Sequence, residues 1–199
     1  YYLIASSDGT GWFGTSDMVN TFTGNRTSGS AVVSGIASTT GLYVGQLSTG
    51  TGFVAGTRIL TVDSATQVTL TNTASSGSAT STVFTTEKIA KIIDTDFPSM
   101  VGGFATLDGY VFALTSTGKI YNSDLNNITS WQASNFITAG ISTDPKVGLV
   151  SYKNKIIAFG KNSIEFFYNA GNASGSILSS IKEAFSNIGL STNNSTKNI

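Results

Sequence analysis

The stretch VGGFATLDGYVFAL, residues 101–114, is followed 46 residues later by a stretch of the same design, VGLVSYKNKIIAFG, residues 147–160. Each copy begins with a Val-Gly strand and passes through a tight polar turn into an apolar strand. We place the two turns at Asp108-Gly109 and Asn154-Lys155. A second polar turn then leads to a strand that carries aromatic residues. A repeat of roughly 40 to 50 residues filled with short strands is typical of β-propeller blades.

A third copy of the hairpin stands at the start of the chain. Residues 1–5, YYLIA, resemble residues 110–114 and are followed by the turn Ser6-Ser7-Asp8-Gly9. Tyr1 and Tyr110 lie 109 positions apart, and one repeat period accounts for 46 of these, so we predict an insertion of about 63 residues between them. Because the chain opens inside a strand-like run rather than on Met, we also expect it to be a piece of a longer protein.

The composition of residues 25–85 shows where the insertion lies. Charge nearly disappears there, aromatic residues are sparse, and Gly, Ser, Thr and Val dominate. Four stretches alternate or run apolar at strand length: residues 30–35, 58–62, 67–71 and 80–84. A disordered linker is the alternative interpretation, but a linker has no reason to place β-branched residues at regular spacing.

These observations predict an all-β chain with three parts. Residues 1–24 are strands of a β-propeller blade, residues 25–85 form a small inserted β-sandwich or barrel-like domain, and residues 86–199 are β-propeller-like blades. A chain with three partial blades is too short to close a propeller, so we interpret it as a fragment of a larger one.

Two local segments fit more than one type of structure, and one aromatic residue has a predicted packing role. Residues 88–92 contain the pairs Lys88-Ile89 and Lys91-Ile92, which fit one helical turn or an edge strand, and we predict the strand. The apolar patch at residues 177–188 fits a pair of strands, with a helix as the alternative, because Ile177, Leu178, Ile181 and Phe185 also share a helical face. Trp131 is predicted to be a packing anchor between neighbouring blades.

The composition argues against most chemistry. The chain has no Cys and no His, and its 11 acidic and 11 basic residues cancel. A neutral chain has no electrostatic footprint for tight binding of nucleic acid or an anionic membrane. No apolar run reaches the length of a spanning helix. We therefore predict a soluble protein with no catalytic, cofactor-binding or metal-binding residues, no cofactor and no membrane partner.

The acidic residues are best explained as turn residues. Asp8, Asp63, Asp108 and Asp144 each precede Gly, Ser or Pro, where a carboxylate ordinarily accepts a nearby backbone N–H. Asp94-Thr95-Asp96 has the spacing of part of a calcium loop, but the downstream Gly and final Glu of such a loop are missing. We do not predict a calcium site there.

Residues 87–191 resemble the tail-hub, or packaged-DNA-stabilisation, proteins of short-tailed bacteriophages. The resemblance lies in the order and spacing of these motifs: Asp96-Phe97-Pro98, Leu107-Asp108-Gly109-Tyr110, Ile120-Tyr121-Asn122-Ser123-Asp124-Leu125, Ser130-Trp131 with Phe136, Asp144-Pro145-Lys146-Val147-Gly148-Leu149, Phe159-Gly160, Ile164-Glu165-Phe166-Phe167-Tyr168-Asn169-Ala170-Gly171 and Ala184-Phe185-Ser186-Asn187-Ile188-Gly189-Leu190. Gln132 departs from the pattern, because we expect an acidic residue after the Trp.

The insertion resembles a second kind of phage sequence, a small β module found inserted in phage structural proteins. The motifs that resemble it are Val44-Gly45-Gln46, Gly50-Thr51-Gly52, Gly56-Thr57-Arg58-Ile59 and Val62-Asp63-Ser64-Ala65-Thr66-Gln67-Val68-Thr69-Leu70. Two separate stretches therefore indicate a virion protein.

The resemblance implies a function as well as a fold. It implies a structural protein of the phage tail, not an enzyme, that helps to retain packaged DNA and forms part of the ejection channel as a nozzle or hub. The implied assembly is a homo-oligomeric ring, commonly a hexamer, which contacts portal or adaptor proteins above and tail fibre, spike or plug proteins below. Genomic DNA would pass through without sequence-specific binding.

Net neutrality fits this role, since a channel dense in Lys and Arg would hold the duplex through counterion release. Two alternatives remain from the sequence. A carbohydrate-binding or carbohydrate-acting β-propeller would need a cleft of acids and exposed aromatic residues, and a secreted repeat adhesin would need a signal segment.

Overall fold

The computed structural model describes residues 2–190, and in this range it contains strands, turns and loops but no helix. The all-β prediction is confirmed. Tyr1, the first residue of the predicted third copy, and residues 191–199 of the predicted last segment lie outside the described residues. The described chain divides into two compact units: a barrel unit centred on Trp12–Ile93, and a blade unit made of Ile4–Gly11 and residues 94–190.

Sixteen strands are described. The first eight are β1 (Tyr2–Ala5), β2 (Gly11–Gly14), β3 (Thr21–Arg26), β4 (Val32–Ser34), β5 (Gln46–Gly50), β6 (Ile59–Ser64), β7 (Gln67–Leu70) and β8 (Ala79–Lys91). The next eight are β9 (Val101–Leu107), β10 (Tyr110–Leu114), β11 (Lys119–Asp124), β12 (Asn127–Thr138), β13 (Lys146–Tyr152), β14 (Lys155–Gly160), β15 (Ile164–Asn169) and β16 (Leu178–Ser186).

Each copy of the sequence repeat becomes one four-stranded antiparallel sheet. The order β9-β10-β11-β12 forms the first sheet, and β13-β14-β15-β16 forms the second. In both, every strand pairs with the next one along the chain, which is the meander of a propeller blade. The predicted repeat is therefore a repeat of whole sheets.

The turn after the first strand has the same geometry in both copies. Asp108 and Gly109 have φ angles of 51° and 81°, and Lys153 and Asn154 have 45° and 59°. Positive φ at both central residues defines the tight hairpin turn whose twist matches that of the strands. Our prediction of Asn154-Lys155 for the second turn is wrong by one residue. The first copy has one extra unpaired residue at the start of β9, where Gly102 and Gly103 form a bulge, so the turns lie 45 rather than 46 positions apart.

The two sheets share one hydrophobic core. Phe112, Leu114 and Ile120 of the first sheet are fully buried together with Ile156 and Phe167 of the second. Burial of each such side chain contributes about 1.5–3 kcal/mol relative to exposure. These residues alternate along their strands with residues of the opposite face, so the period-2 pattern in the sequence determines which face meets the neighbouring sheet.

The C-terminal apolar patch forms one strand. The single strand β16 pairs with β15, so the strand assignment is correct, but neither the strand pair nor the helical alternative is present. The helix fails because its apolar residues divide between the two sides of a strand once β15 is available as a hydrogen-bonding partner.

Trp131 is buried, as expected of a packing anchor, but its predicted place between neighbouring blades stays a prediction. Its indole Nε1 donates to Ile128 O at 2.8 Å, and the edge of Phe97 packs on its ring with a centroid distance of 5.0 Å. The indole N–H is therefore hydrogen-bonded, and the indole ring is packed, within the blade unit.

The barrel unit closes on itself. Its strands follow the order β1-β2-β8-β3-β4-β7-β6, and β5 pairs with the other edge of β8. An isolated bridge between Leu47 and Arg58 links β5 to the start of β6, which completes a ring of β3, β4, β7, β6, β5 and β8. Phe22 and Phe84 stack inside it at 4.8 Å. The predicted barrel-like architecture is present.

The sequence missed several details of this unit. Residues 80–84 and 88–92, read as separate strands, are two parts of the 13-residue strand β8, and the predicted boundary at residue 85 falls inside it. β3 and β5 were not predicted. The assignment of residues 88–92 to a strand rather than a helix is correct. That residues 25–85 are an insertion into a blade stays a prediction.

Gly102 allows the first strands of the two sheets to approach closely. A Cβ at this position would lie 2.5 Å from Val147 O and 2.6 Å from Gly148 Cα, and φ is +73°. Gly103 also has a positive φ, +91°, but open space around it. Substitution of each glycine in turn therefore distinguishes two effects: the positive φ that both share, and the close approach that applies only to Gly102.

We predict that Gly102→Ala destabilises the blade unit by roughly 3 kcal/mol and Gly103→Ala by about 1–2 kcal/mol. Only the first substitution pushes β9 away from β13, whereas both force Ala into a left-handed conformation. Chemical denaturation of the two variants measures the difference. Equal losses would mean that the close approach does not limit the packing of the sheets.

Candidate functional site

The most concentrated group of charges in the described chain lies in the blade unit, where the linker between the sheets joins β13. Lys146 is the first residue of β13 and pairs across the sheet with Gly160 of β14. Its side chain is 1% exposed, as is that of Glu165 in β15, and the Asp144 side chain is 8% exposed. Burial of ionised groups is costly unless they are paired and hydrogen-bonded, so their partners decide what this cluster does.

The Lys146 ammonium is surrounded by oxygen atoms. Nζ lies 2.9 Å from Glu165 Oε1 and 3.0 Å from Asp144 Oδ1. It also donates to Ser163 Oγ at 2.9 Å and to Ser142 O at 3.2 Å. Four acceptors thus serve the three donors of the ammonium group, so the charge is compensated in place.

Glu165 binds the backbone of the linker between the two sheets. Its Oε2 accepts the Ile141 N–H at 3.2 Å, and its Oε1 accepts the Ser142 N–H at 3.4 Å. Since Ile141 and Ser142 belong to the segment that joins the sheets, one side chain in the middle of the second sheet positions the backbone that leads into it.

Asp144 joins the linker to the turn between β14 and β15. Its Oδ2 accepts the Asn162 N–H at 2.7 Å, and its Oδ1 accepts the Ser163 hydroxyl at 2.6 Å. A Cβ on Gly160 would lie 2.2 Å from Oδ2, so glycine leaves the space that this carboxylate fills. Burial raises the pKa of the Asp144 carboxyl, but hydrogen bonds from Asn162, Ser163 and Lys146 outweigh it and hold the pKa well below its ordinary value.

Asp144 is therefore not the local turn residue that we predicted from the following proline. Its backbone partner lies 18 positions along the chain. Asp63 also departs from the prediction, since its carboxylate accepts hydrogen bonds from the side chains of Thr61, Gln67 and Thr69 across the β6–β7 hairpin. Asp8 does accept the N–H of Thr10, as predicted.

A second link joins the tips of the two sheets. Asn169 Nδ2, at the end of β15, donates to Asp108 Oδ2 in the β9–β10 turn at 2.8 Å. The turn prediction for Asp108 is thus correct for its backbone, while its carboxylate binds the neighbouring sheet.

Asp94 and Asp96 hold the preceding linker to the first sheet. Asp94 Oδ2 accepts the Trp131 N–H at 3.0 Å, and Asp96 Oδ2 accepts the Ala133 N–H at 3.1 Å. Their spacing of two residues matches the spacing of alternate N–H groups on one edge of β12. Within residues 2–190, no group of three or more Asp or Glu residues is placed to hold a metal ion.

The seam formed by Lys146, Asp144, Glu165 and Ser163 is structural in its chemistry. Every charged atom in it is used by another protein atom, and the cluster holds backbone segments rather than a ligand. Sequence reasoning missed it, although one signal was present: Glu165 is a lone acid inside the apolar run of β15, where a charged side chain requires a buried partner.

In the part of the chain that the structure describes, no helix is long and apolar enough to span a membrane.

Comparison with known proteins gives one family. The model of the family described as bacteriophage P22 Gp10, beta-propeller, matches residues 18–197. No curated protein matches the chain. Among solved structures, the phage phi92 endosialidase aligns over 79% of this chain with 14% sequence identity and a TM-score of 0.28. The chain spans 31% of the length of that protein, and a likeness this weak carries no argument about function.

The depressed pKa of Asp144 predicts how stability depends on pH. An ionised Asp144 stabilises the fold fully above its unfolded pKa of about 3.9, and the contribution is lost as pH falls toward and through the lower folded pKa. We expect wild type to exceed Asp144→Asn in unfolding free energy by about 1–3 kcal/mol at pH 7, with the gap narrowing below about pH 4.

Denaturation at a series of pH values measures this gap. Glu183→Gln, at an exposed position of β16, is the control and should keep the wild-type acid profile. A gap that stays constant down to pH 2 would show that Asp144 does not act through its ionised form.

Proposed function

Because the chain belongs to the bacteriophage P22 Gp10 β-propeller family, we propose that it forms part of the wall of the tail nozzle, helps to retain packaged DNA and lines part of the ejection channel. Membership makes it a structural phage protein with a role in DNA stabilisation, and a component of the virion tail. As a virion protein it assembles with other virion proteins. The nozzle position and the channel are the proposal.

The observation that carries the proposal is that five charged residues of the blade unit are bound to other parts of that unit. Lys146, Glu165 and Asp144 neutralise one another between the sheets, and Asp94 and Asp96 are bound to the backbone of β12. A wall needs fixed blades more than reactive groups, and these contacts fix both linkers to their sheets. This arrangement supports a mechanical rather than a catalytic role.

The first strands of the sheets support a lining without cations. β9 has no charged residue, and the single charge of β13 is the buried Lys146. Strands of this kind placed along a DNA path would release no counterions and would leave the duplex free to slide. We propose a homo-oligomeric ring, a hexamer in the simplest case, in contact with portal or adaptor proteins and with fibre, spike or plug proteins.

We also propose that the barrel unit is an insertion into a blade loop. Asn20, just before β3, and Thr86 in β8 are hydrogen-bonded, with Thr86 N donating to Asn20 O at 2.7 Å. Closely spaced ends let a domain be inserted into a loop without separating the strands on either side. The segment between them contains residues 25–85, for which we propose the insertion.

Deletion of residues 21–85, with Asn20 joined to Thr86 through two glycines, tests both proposals in phage. We expect virions with this deletion to package and retain DNA as wild type does, because the blades remain. Virions without the protein should release DNA after packaging. Nuclease sensitivity of the encapsidated genome measures both.

The outcomes separate the two proposals. Retention of the genome by particles that lack the protein would contradict the wall function. Failure of tails to assemble with the deleted form alone would mean that the barrel unit is an assembly element instead of a dispensable insertion.

A further inference from the structure

Two cations lie over one indole ring in the barrel unit. Trp12 in β2 pairs across the sheet with Lys91, the last residue of β8. The guanidinium of Arg58, just before β6, lies 4.9 Å from the centroid of the Trp12 ring, and Lys91 Nζ lies 6.0 Å from it. Both distances are in the range of a cation–π contact. All three residues are half-buried and are defined here as the cation patch.

Gly45 fixes the positions of both cations. Its carbonyl oxygen accepts the Lys91 N–H at 3.0 Å and an N–H of Arg58 Nη1 at 2.8 Å. Its own N–H donates to Ile59 O at 2.8 Å, beside Arg58. The Arg58 side chain is therefore ordered before any ligand binds, which lowers the entropic cost of binding.

The charges of the cation patch are not neutralised by ion pairs within residues 2–190. The hydrogen bond to Gly45 uses one of the five N–H donors of Arg58 and leaves the others available. Glu87, an exposed acid of β8, acts on Arg58 without pairing with it: burial lowers the pKa of the guanidinium, and the charge of Glu87 raises it. Lys146 in the blade unit is the opposite case, since its own chain surrounds its ammonium with acceptors.

The chemistry of the cation patch favours a carboxylate on a protein. Trp and Arg are among the residues most enriched at the energetic centres of protein interfaces. Guanidinium groups bind carboxylates through short, charge-assisted hydrogen bonds. A sugar acid fits less well, because Arg58 and Lys91 both lie over the ring of Trp12, where a sugar would have to stack.

A second copy of this chain offers few acids to the cation patch. Every Asp of the chain accepts a hydrogen bond from its own chain, and so does Glu165. The acids that remain for contact with another molecule are Glu87, which lies in the barrel unit with Arg58, and Glu183 in β16. A different protein is therefore the better source of the carboxylate.

We propose that the cation patch is a docking site for an acidic segment of another virion protein, with one carboxylate of that segment bound between Arg58 and Lys91. The inference rests on the assembly of this chain with other virion proteins and names the surface that one of them uses. Glu87 repels the bound carboxylate and so weakens the contact.

Cross-linking in purified virions tests the proposal. A water-soluble carbodiimide joins an ammonium group to a carboxylate in contact with it, and mass spectrometry identifies the joined peptides. We expect Lys91 to be joined to an Asp or Glu of a different virion protein. Lys88, an exposed lysine three positions earlier in β8, is the matched control and should not be joined to the same residue.

Four results would overturn the proposal: no cross-link from Lys91, a cross-link only to Glu87 of its own chain, a cross-link to Glu183 of a second copy, or equal capture of the same residue by Lys88. Treatment of virions mixed with host envelopes provides a further arm. A cross-link from Lys91 to a sugar acid there, with none in virions alone, would assign the site to a glycan instead.

Substitutions on either side of the contact should act in opposite directions. Arg58→Gln should lower the yield of the Lys91 cross-link about five-fold, and Arg58→Lys should preserve most of it, which separates loss of charge from loss of structure. Glu87→Gln should raise the yield. An unchanged yield with both Arg58→Gln and Glu87→Gln would contradict binding through charge. These readouts are independent of the retention of DNA, so the two proposals can fail separately.

Discussion

The buried ammonium of Lys146 is the interaction on which the blade unit depends. A cation inside a protein is stable only where partners replace its water, and Glu165 and Asp144 provide them at 2.9 and 3.0 Å. Because Asp144 lies in the linker and Glu165 in β15, meeting this requirement fixes the path of the chain between the sheets. The position of β13 then follows, and with it the contact between Gly102 and the Val147–Gly148 backbone.

Other acidic residues of the blade unit are also bound to neighbouring segments of the chain. Each of four aspartates is bound to a backbone N–H or a side chain of another segment: Asp94, Asp96, Asp108 and Asp144. These acids therefore hold segments of the chain together. In the proposed nozzle wall the chain would have to keep its shape against the pressure of packaged DNA. Links of this kind hold linkers to sheets, and the charges that form them would not be free to bind the duplex.

The repeat and the hairpins could be read from the sequence because they depend on local signals. Asp-Gly in a tight turn and alternation along a strand are visible within a few residues. The ion network could not be predicted, since Asp144, Lys146 and Glu165 become neighbours only after β13, β14 and β15 pair. In the barrel unit, β5 reads Gln-Leu-Ser-Thr-Gly, without apolar alternation, and it is a strand because β8 offers it an edge. The length of β8 is likewise set by its three partners, β2, β3 and β5.

The most direct test of the account is the unfolding free energy of Lys146→Met beside that of Lys182→Met, a substitution at an exposed position of β16. If the buried ammonium organises the blade unit, Lys146→Met leaves two carboxylates without their cation and costs about 3–5 kcal/mol, while Lys182→Met stays within about 0.5 kcal/mol of wild type. Equal and small effects of the two substitutions would contradict the account, because the linker would then be held without the charge of Lys146.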